Sequence, residues 1–535
     1  MQLIVSAGAI ALIVIWGLLS PATLGSFFNT ALASITHNFG WLYLWLVLGL
    51  VVLAFFLAFS RFGDLKLGDA DDEPEFSLHA WFAMLFAAGM GIGLVFFGVA
   101  EPVSHYGSPP AGVAPNTPEA AHVAMRYAFF HWGLHPWAIY GVVGLAIAFF
   151  TFRRKAQPLV SSVTEALPWK VVRLLSPAFN VLAIVATAFG VAASLGVGAT
   201  QINGGLHAAF GIQVSAVNQA IIIVVTTILF LTSAVTGVER GVKWLSIGNL
   251  VLAALLALFV LVVGPTVAII DTFTTTLGSY LSEFVRMSLR MTPFRDSTWV
   301  GDWTIFYWAW WLAWSPFVGL FIARVSKGRT IREFIMGVVL APTLVGFVWF
   351  AIFGGAALNL EIFRQVPLAA AVKDDVATAM FVMFNAMPAS GLLSFVATLL
   401  VFIFFVTSGD SATLVLGTMS TQGDPNPPAK VKIIWGVLVA GIALSLLLVG
   451  GIKAVQAATI VFALPFSVVL LLMAISLVMA VREDWHAEDV RERHLHKKLR
   501  EWVSREDAAG GEATAKVPPT ASRSLASPVE KPETR

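Results

Sequence analysis

The chain has 535 residues, of which 58% are hydrophobic and only 12% are charged, compared with ~25% charged residues in an average soluble domain. So few charges cannot cover the surface of a soluble protein, which excludes a soluble enzyme and a nucleic-acid binder, and the net charge of +2 indicates no polyanionic partner. The absence of cysteine excludes disulfides, thiol catalysis and cysteine-ligated metal sites. We therefore expect an all-α polytopic membrane protein.

A membrane-spanning helix needs about 20 mostly apolar residues. The sequence offers twelve such stretches, near residues 2–20, 40–60, 79–100, 125–150, 178–200, 218–236, 244–270, 303–323, 333–357, 379–408, 433–450 and 456–481. The first stretch follows Met1 without a positively charged segment, so we interpret it as a span rather than a signal peptide. Lys and Arg concentrate in alternate loops, which predicts a multi-pass protein of the inner (cytoplasmic) membrane with both termini cytoplasmic.

The third span is interrupted by glycine. Gly89, Gly91 and Gly93 fall within five residues, and each glycine weakens a helix by about 1 kcal/mol relative to alanine. Two interpretations stay open. The glycines can form a small-residue surface for close helix packing, or they can mark an unwound helix whose free backbone N–H groups face a ligand.

Aromatic side chains gather on the fourth and eighth spans. In the fourth, Trp132, Trp137 and Tyr140 fall within one arc of a helix. The eighth carries a broader stripe, from which Trp308 points away; the stripe consists of Trp303, Tyr307, Trp310, Trp311, Trp314, Phe317 and Phe321. Converging indole and phenol faces predict an aromatic cage for a quaternary ammonium group, which cation–π attraction stabilises by up to about 2 kcal/mol.

Polar residues near the end of the tenth span allow more than one interpretation. The hydroxyls of Thr407 and Ser408 can bond back to their own helix, or they can join free carbonyls of an unwound segment in an oxygen site for a small cation. Asp410 is either an intramembrane functional group or an interfacial partner of an inner-loop arginine.

The remaining segments complete the organisation. We expect an amphipathic helix over 277–291 at the outer interface. The charged tail has two parts. Its first part, through Arg505, can be helical and can dock on anionic lipid, and we expect the part after Ala508 to be disordered. The predicted domains are two N-terminal helices outside the core (1–78), a first five-helix repeat (79–271), the connecting helix (272–301), a second five-helix repeat (302–481) and the cytoplasmic tail (482–535). Because five is odd, the second repeat is inverted relative to the first, and the interrupted third and eighth spans occupy matching places.

These motifs closely resemble those of the betaine/choline/carnitine transporter family. The resemblance rests on Ala88–Gly93 with Glu101-Pro102, His131-Trp132-Gly133, Thr187–Gly190 with Ser194–Gly196, Trp308–Gly319, Phe321–Arg324, Lys327–Phe334 and Thr407–Ser411. It implies twelve helices with a five-plus-five inverted-repeat core like that of the amino-acid/sodium symporters, and a homotrimer.

The resemblance also assigns residues to roles. Its aromatic box maps onto Trp132, Trp137, Tyr140 and Trp311, with Trp314 below the box, and Trp310, Phe317 and Phe321 along the pathway. Gly89, Gly91 and Gly93 would meet the substrate carboxylate, and Ala87, Met90, Thr407 and Ser408 would bind sodium.

Three positions bear on the branch of the family. Choline-specific relatives carry Asp at the position of Gly93, and sodium-independent exchangers carry Arg at that of Asn249. Thr187 would belong to a second sodium site, but Val191 replaces its threonine partner. The resemblance therefore favours a zwitterionic substrate and makes one sodium site better supported than two.

Together these observations predict a transporter that imports glycine betaine or a related trimethylammonium solute, by sodium symport, for osmoprotection. It would need no cofactor beyond the coupling ion, and its partners would be the substrate and membrane lipids. The alternatives are a proton-coupled choline or carnitine carrier, a substrate exchanger, or a betaine-binding osmosensor. An intramembrane enzyme is disfavoured because no nucleophile–base or metal motif stands out.

Overall fold

The computed structural model describes residues 1–89, 91–236, 239–295 and 297–508. Within these ranges the chain is all-α, and its one β-type pairing is an isolated bridge between Lys66 and Thr330. The α-helices are α1 Gln2–Leu19, α2 Pro21–Phe59, α3 Leu78–Gly89, α4 Ile92–Gly107, α5 Pro118–Trp132, α6 Leu134–Ala148, α7 Val160–Glu165, α8 Lys170–Phe210, α9 Ala216–Thr236, α10 Glu239–Val263, α11 Thr266–Ser288, α12 Phe306–Arg324, α13 Ile331–Arg364, α14 Leu368–Asp374, α15 Ala379–Asn385, α16 Ser390–Ser420 and α17 Ala429–Ala508.

Among the described residues, ten helical segments are long and apolar enough to cross a membrane. The sequence predicts twelve spans, and the counts differ for identifiable reasons. The third predicted span is divided into α3 and α4, each shorter than the about 20 residues that a span needs. The last two predicted spans lie within α17, which is kinked by non-helical backbone angles at Gly450 and Gly451. The twelve spans and the inverted repeat therefore stay predictions.

Helix α10 ends at Val263, before the limit near residue 270 that hydropathy predicts. Gly264 and Pro265 interrupt the chain there, since the Gly264 N–H closes α10 on the Val260 carbonyl at 2.9 Å and Pro265 stands directly before α11. The amphipathic helix expected over 277–291 consequently begins earlier, at Thr266, and ends at Ser288.

Helix α12 carries the aromatic stripe and lies between α6 and α8. A Cβ atom built on Gly319 would be 3.0 Å from the Gly144 backbone nitrogen on α6, and one built on Gly190 of α8 would be 3.0 Å from Trp314 Cδ1 on α12. Small residues on both sides thus let the three backbones approach closely. This packing fixes the aromatic side chains of α12 against their neighbours.

The first turn of α3 is joined to the loop before α13. The Arg329 guanidinium lies 4.0 Å from the centre of the Trp81 ring, and the Trp81 indole N–H donates to Ser326 Oγ at 2.9 Å. Lys155 approaches Asp69 at 2.9 Å, and its hydrogen bond and charge lower the pKa of the Asp69 carboxyl. These contacts anchor the start of α3, the helix that leads to the glycine-rich break.

The chain divides into two compact units, 1–480 and 481–535, of which the second is described through residue 508. Its residues 482–505 are helical, as their composition allows, and Asp489 pairs with Arg493 at 2.6 Å. The segment predicted to be disordered, 509–535, lies outside the described residues.

Candidate functional site

The glycine-rich third span is interrupted in the structure. Helix α3 ends at Gly89, α4 begins at Ile92, and Gly91 between them has an extended backbone, with φ −138° and ψ −172°. Among the described residues, a Cβ atom on Gly91 would meet nothing within 4 Å. The first N–H groups of a helix have no partner within the regular helix; here the Leu94 N–H donates to the Gly91 carbonyl at 3.2 Å, which leaves those of Ile92 and Gly93 as the candidate donors at this break. Met90 lies outside the described residues.

The predicted box residues lie close together. The ring centres of Trp132 and Trp311 are 4.9 Å apart, edge to face. Tyr140 lies 6.3 Å from Trp311 and 5.6 Å from Trp137. Each of these four side chains keeps an exposed fraction of 5–8%, whereas Trp308 on the same helix is 0% exposed. The four box rings thus keep a small accessible area, whereas the ring of Trp308 keeps none.

The N–H edges of two box indoles are fixed by hydrogen bonds. Trp132 Nε1 donates to Glu101 Oε2 at 2.7 Å, and Trp311 Nε1 donates to the His131 carbonyl at 3.0 Å. Buried indole N–H groups usually find such partners, although those of Trp308 and Trp310 have none among the described residues. The two bonds fix the rings of Trp132 and Trp311 against the surrounding helices.

Glycine 93 joins the break in the third span to the aromatic box. A Cβ atom on Gly93 would lie 2.9 Å from Trp132 Cη2 and 3.0 Å from Trp310 Cη2, both well below ordinary contact distance. The start of α4 therefore adjoins the ring of Trp132. An indole ring, of the kind that attracts cations, and a helix N-terminus, of the kind that attracts anions, lie side by side.

The remaining stripe residues separate into two groups. Trp310 is 2% exposed and stacks on Trp311, with ring centres 5.0 Å apart and planes inclined by 9°. Trp314 is half-buried, donates its indole N–H to the Gly190 carbonyl at 2.7 Å and meets Phe317 edge to face at 4.9 Å. Phe321, one turn further on, is half-buried. Trp314 is thus bonded to α8 and packs on Phe317.

The side chain of Trp308 points away from the aromatic stripe, as a rotation of 100° per residue predicts. Its ring stacks on His135 with the centres 4.9 Å apart, and packs on Phe130 at 5.1 Å. Both partners lie on the α5–α6 pair, outside the box. Trp308 consequently offers an indole on the same helix that does not line the candidate site.

The proposed ion ligands are only partly defined. The Thr407 hydroxyl donates to the Ile403 carbonyl at 2.9 Å, and Ser408 beside it is half-buried. The Thr187 hydroxyl oxygen is buried and has no hydrogen-bond partner among the described residues. Ala87 lies in α3, whereas Met90 falls outside the described part of the chain.

Asp410, on the turn of α16 that follows Thr407 and Ser408, is only partly buried. Its carboxylate is hydrogen-bonded by Ser233 and attracted by Lys432. Lys432 also donates to the Ala234 carbonyl at 3.2 Å. These contacts favour the interfacial interpretation of Asp410.

A buried polar cluster beside the box was not predicted as a site. Glu101, His105 and His131 are 0% exposed, and one ligand atom from each lies within 4.8 Å of the others. His131 Nδ1 contacts Glu101 Oε1 at 2.6 Å, and its Nε2 contacts Thr304 Oγ1 at 3.0 Å. Tyr307 of the stripe donates to Glu101 Oε2 at 2.5 Å. The sequence does contain one indication of this cluster: Glu101 is an ionisable residue inside an apolar span, and such a residue is a functional candidate by default.

Comparison with known proteins places these residues in context. Residues 2–486 match the family model described as the betaine/carnitine/choline family transporter. The chain is similar to the glycine betaine transporter OpuD of Bacillus subtilis, with 49% identity over 475 residues, covering 88% of this chain and 92% of that protein. It is 45% identical over 473 residues to the ectoine/hydroxyectoine transporter of Virgibacillus pantothenticus, covering 88% and 94%. The probable glycine betaine transporter of Desulfitobacterium hafniense is 42% identical over 486 residues, covering 90% and 97%.

Proposed function

Because this chain belongs to the betaine/carnitine/choline transporter family, we propose that it imports glycine betaine or a related trimethylammonium solute by sodium symport, as osmoprotection requires. The family and the similar proteins are transporters, not enzymes. The observation that carries the substrate proposal is the contact between the aromatic box and the free start of α4, through Gly93 and Trp132.

Glycine betaine has two ends that need different surroundings. Its methylated cation is weakly hydrated and suits the faces of Trp132, Trp311 and Tyr140, where cation–π attraction contributes up to about 2 kcal/mol or more once water is excluded. Its carboxylate suits backbone N–H groups at a helix N-terminus. Two such surfaces in contact favour a zwitterion over choline, which has no carboxylate.

Sodium coupling is supported by oxygen atoms on elements that lie near each other. A Cβ atom on Gly198 of α8 would touch both Phe405 of α16 and Ile92 at the start of α4, so α8 packs against the helix of the hydroxyl pair and against the start of α4. A hydroxyl that donates to its own helix, as that of Thr407 does, keeps lone pairs for a cation. A second site at Thr187 is less well supported because Val191 supplies no oxygen.

We further propose twelve spans with a five-plus-five inverted-repeat core, and alternating access about the α3–α4 break and α12. The protein would sit as a homotrimer in the inner membrane, with both termini cytoplasmic. Exposed apolar side chains along α9 and α10, such as Ile221 and Leu255, suit contact with lipid.

The residue at position 249 disfavours the exchanger alternative. Asn249 is buried in α10 and donates to the Leu400 carbonyl. Sodium-independent exchangers carry an arginine here, whose positive charge would stand in for the sodium ion, and asparagine has no such charge.

A competition panel in proteoliposomes tests the substrate proposal. Uptake of radiolabelled glycine betaine should be inhibited most strongly by unlabelled betaine, and less by choline, carnitine or ectoine. Concentrative uptake separates a transporter from a betaine-binding osmosensor, which would bind the label without accumulating it. Choline as the strongest competitor would contradict the zwitterion proposal.

A further inference from the structure

Glu101 on α4 is a buried carboxylate behind the aromatic box. It is 0% exposed, and within the described ranges its ion-pair partners are two histidines rather than a lysine or arginine. His131 Nδ1 and His105 Nε2 contact Oε1 at 2.6 and 3.2 Å, while Trp132 Nε1 and the Tyr307 hydroxyl donate to Oε2 at 2.7 and 2.5 Å. Burying a carboxylate costs several kcal/mol unless it is well hydrogen-bonded, so four donors explain how this one is tolerated.

The contact geometry fits hydrogen bonds rather than a bound metal. Two ligands of one tetrahedral zinc ion lie roughly 3.4 Å apart, because each metal–ligand bond is about 2.0–2.1 Å long. The 2.6 Å between His131 Nδ1 and Glu101 Oε1 is too short for that and is normal for a charge-assisted hydrogen bond. All four contacting atoms can donate, so Glu101 acts as an acceptor on both oxygens.

Two of the four donors belong to rings at the box. Trp132 is a box member, and the Tyr307 ring lies 5.6 Å from Trp132 and 5.7 Å from Trp311, nearly parallel to the latter. One carboxylate oxygen therefore holds two rings that pack on each other and on Trp311. A hydrogen bond from an indole N–H to an anion also polarises the ring, which makes its face more attractive to a cation.

We propose that Glu101 is a positioning residue for the box: it fixes Trp132 and Tyr307 and supplies negative charge behind the ring face that receives the trimethylammonium group. This inference rests on the proposed function. It predicts that Glu101 contributes more to the binding of a charged methylated group than to the binding of a neutral group of the same shape. A residue that only supported the fold would affect both ligands equally.

The probe with a neutral end, called the neutral probe, is 3,3-dimethylbutanoate: an uncharged tert-butyl group replaces the trimethylammonium group of glycine betaine, and the carboxylate is kept. In Glu101→Gln the side chain keeps its size, but the amide NH₂ faces donors and the charge is lost. The native protein and the variant are purified as full chains, and dissociation constants for both ligands are measured by competition against radiolabelled betaine. We expect betaine affinity to fall about tenfold or more, and affinity for the neutral probe to change less than about threefold.

A double-mutant cycle provides the second measurement and does not depend on the neutral probe. Trp132→Phe keeps an aromatic ring but removes the N–H that bonds to Glu101, so Glu101→Gln should weaken betaine binding much less in that background. In Glu101→Asp the side chain is ~1.5 Å shorter, so it keeps the charge but cannot keep both ring contacts. This variant should give an intermediate affinity, and it keeps the proposal testable even if Glu101→Gln does not fold. Glu119→Gln, an exposed change on α5, is the matched control and should leave affinity unchanged.

The outcomes separate the two proposals. Equal losses for betaine and the neutral probe, or equal effects of Glu101→Gln in the native and Trp132→Phe backgrounds, would overturn the role of Glu101 while leaving the transport proposal intact. Native protein that neither binds nor takes up betaine would overturn the proposed function, and the role of Glu101 would fall with it.

Discussion

Replacing Gly93 by aspartate tests where the substrate carboxylate binds, and the structure separates two effects of the change. Any side chain here puts a Cβ atom 2.9 Å from Trp132 Cη2, so the ring must retreat by roughly 0.6 Å to reach ordinary carbon contact. Overpacking of this kind costs about 1–3 kcal/mol, equivalent to roughly 5–160-fold in affinity. This loss should affect betaine and choline alike, because both use the box.

The charge adds a second, selective effect. A carboxylate on residue 93 that came within about 5 Å of the substrate carboxylate would repel it by roughly 3 kcal/mol at an effective dielectric constant of ~20. Betaine should therefore lose roughly a further hundredfold in affinity, whereas choline, which carries no carboxylate, should not. Selectivity should shift toward choline.

The assay is competition of betaine and choline for the purified protein, with Gly93→Asn as the matched control. Asparagine has nearly the size of aspartate but no charge, so it reports the packing loss alone, and Gly93→Ala reports the smallest side chain. We expect only the aspartate variant to change the betaine-to-choline ratio. If Gly93→Asp and Gly93→Asn change that ratio equally, the carboxylate binds away from the start of α4 and the reasoning is refuted.

Three further changes test other parts of the account. Trp314→Leu removes an indole from the pathway and should weaken substrate binding by about 1–2 kcal/mol, roughly five- to thirtyfold, measured as a dissociation constant; Trp308→Leu, on the same helix but off the stripe, should weaken binding less in folded protein, and equal losses would mean that the indoles serve packing. Thr407→Ala combined with Ser408→Ala should raise the sodium concentration for half-maximal uptake much more than it changes betaine selectivity; an unchanged sodium dependence would exclude these hydroxyls as ligands. Deleting the residues after Val481 should alter the activation of uptake by external osmolality without changing selectivity, and an unchanged activation curve would dismiss a sensing tail.

The break in the third span could be predicted in part, because its cause is local. Glycine weakens a helix wherever it stands, so three glycines in five residues allow an interruption between Gly89 and Gly93, but they equally allow a close-packing surface, and only the structure shows the interruption. The helical stripe likewise separates Trp308 from Trp311, because 100° per residue fixes their relative directions. In both cases the structure agrees with the sequence.

The Glu101 cluster could not be predicted in the same way. Its contacts join α4, α5 and α12, and Glu101 and Tyr307 are 206 residues apart in the chain. Periodicity gives the direction of a side chain on its own helix but not which helix faces it. The end of α10 before Gly264 was missed for another reason, because backbone conformation rather than hydropathy decides that boundary, whereas the kink at Gly450 falls where hydropathy ends the eleventh predicted span.

Uptake of glycine betaine into proteoliposomes at a fixed membrane potential tests the central claim most directly. The comparison replaces external sodium by N-methylglucamine at two pH values. The account predicts concentrative uptake that requires inward-directed sodium and changes little with the proton gradient. Uptake that persists without sodium and rises with an inward proton gradient would contradict it.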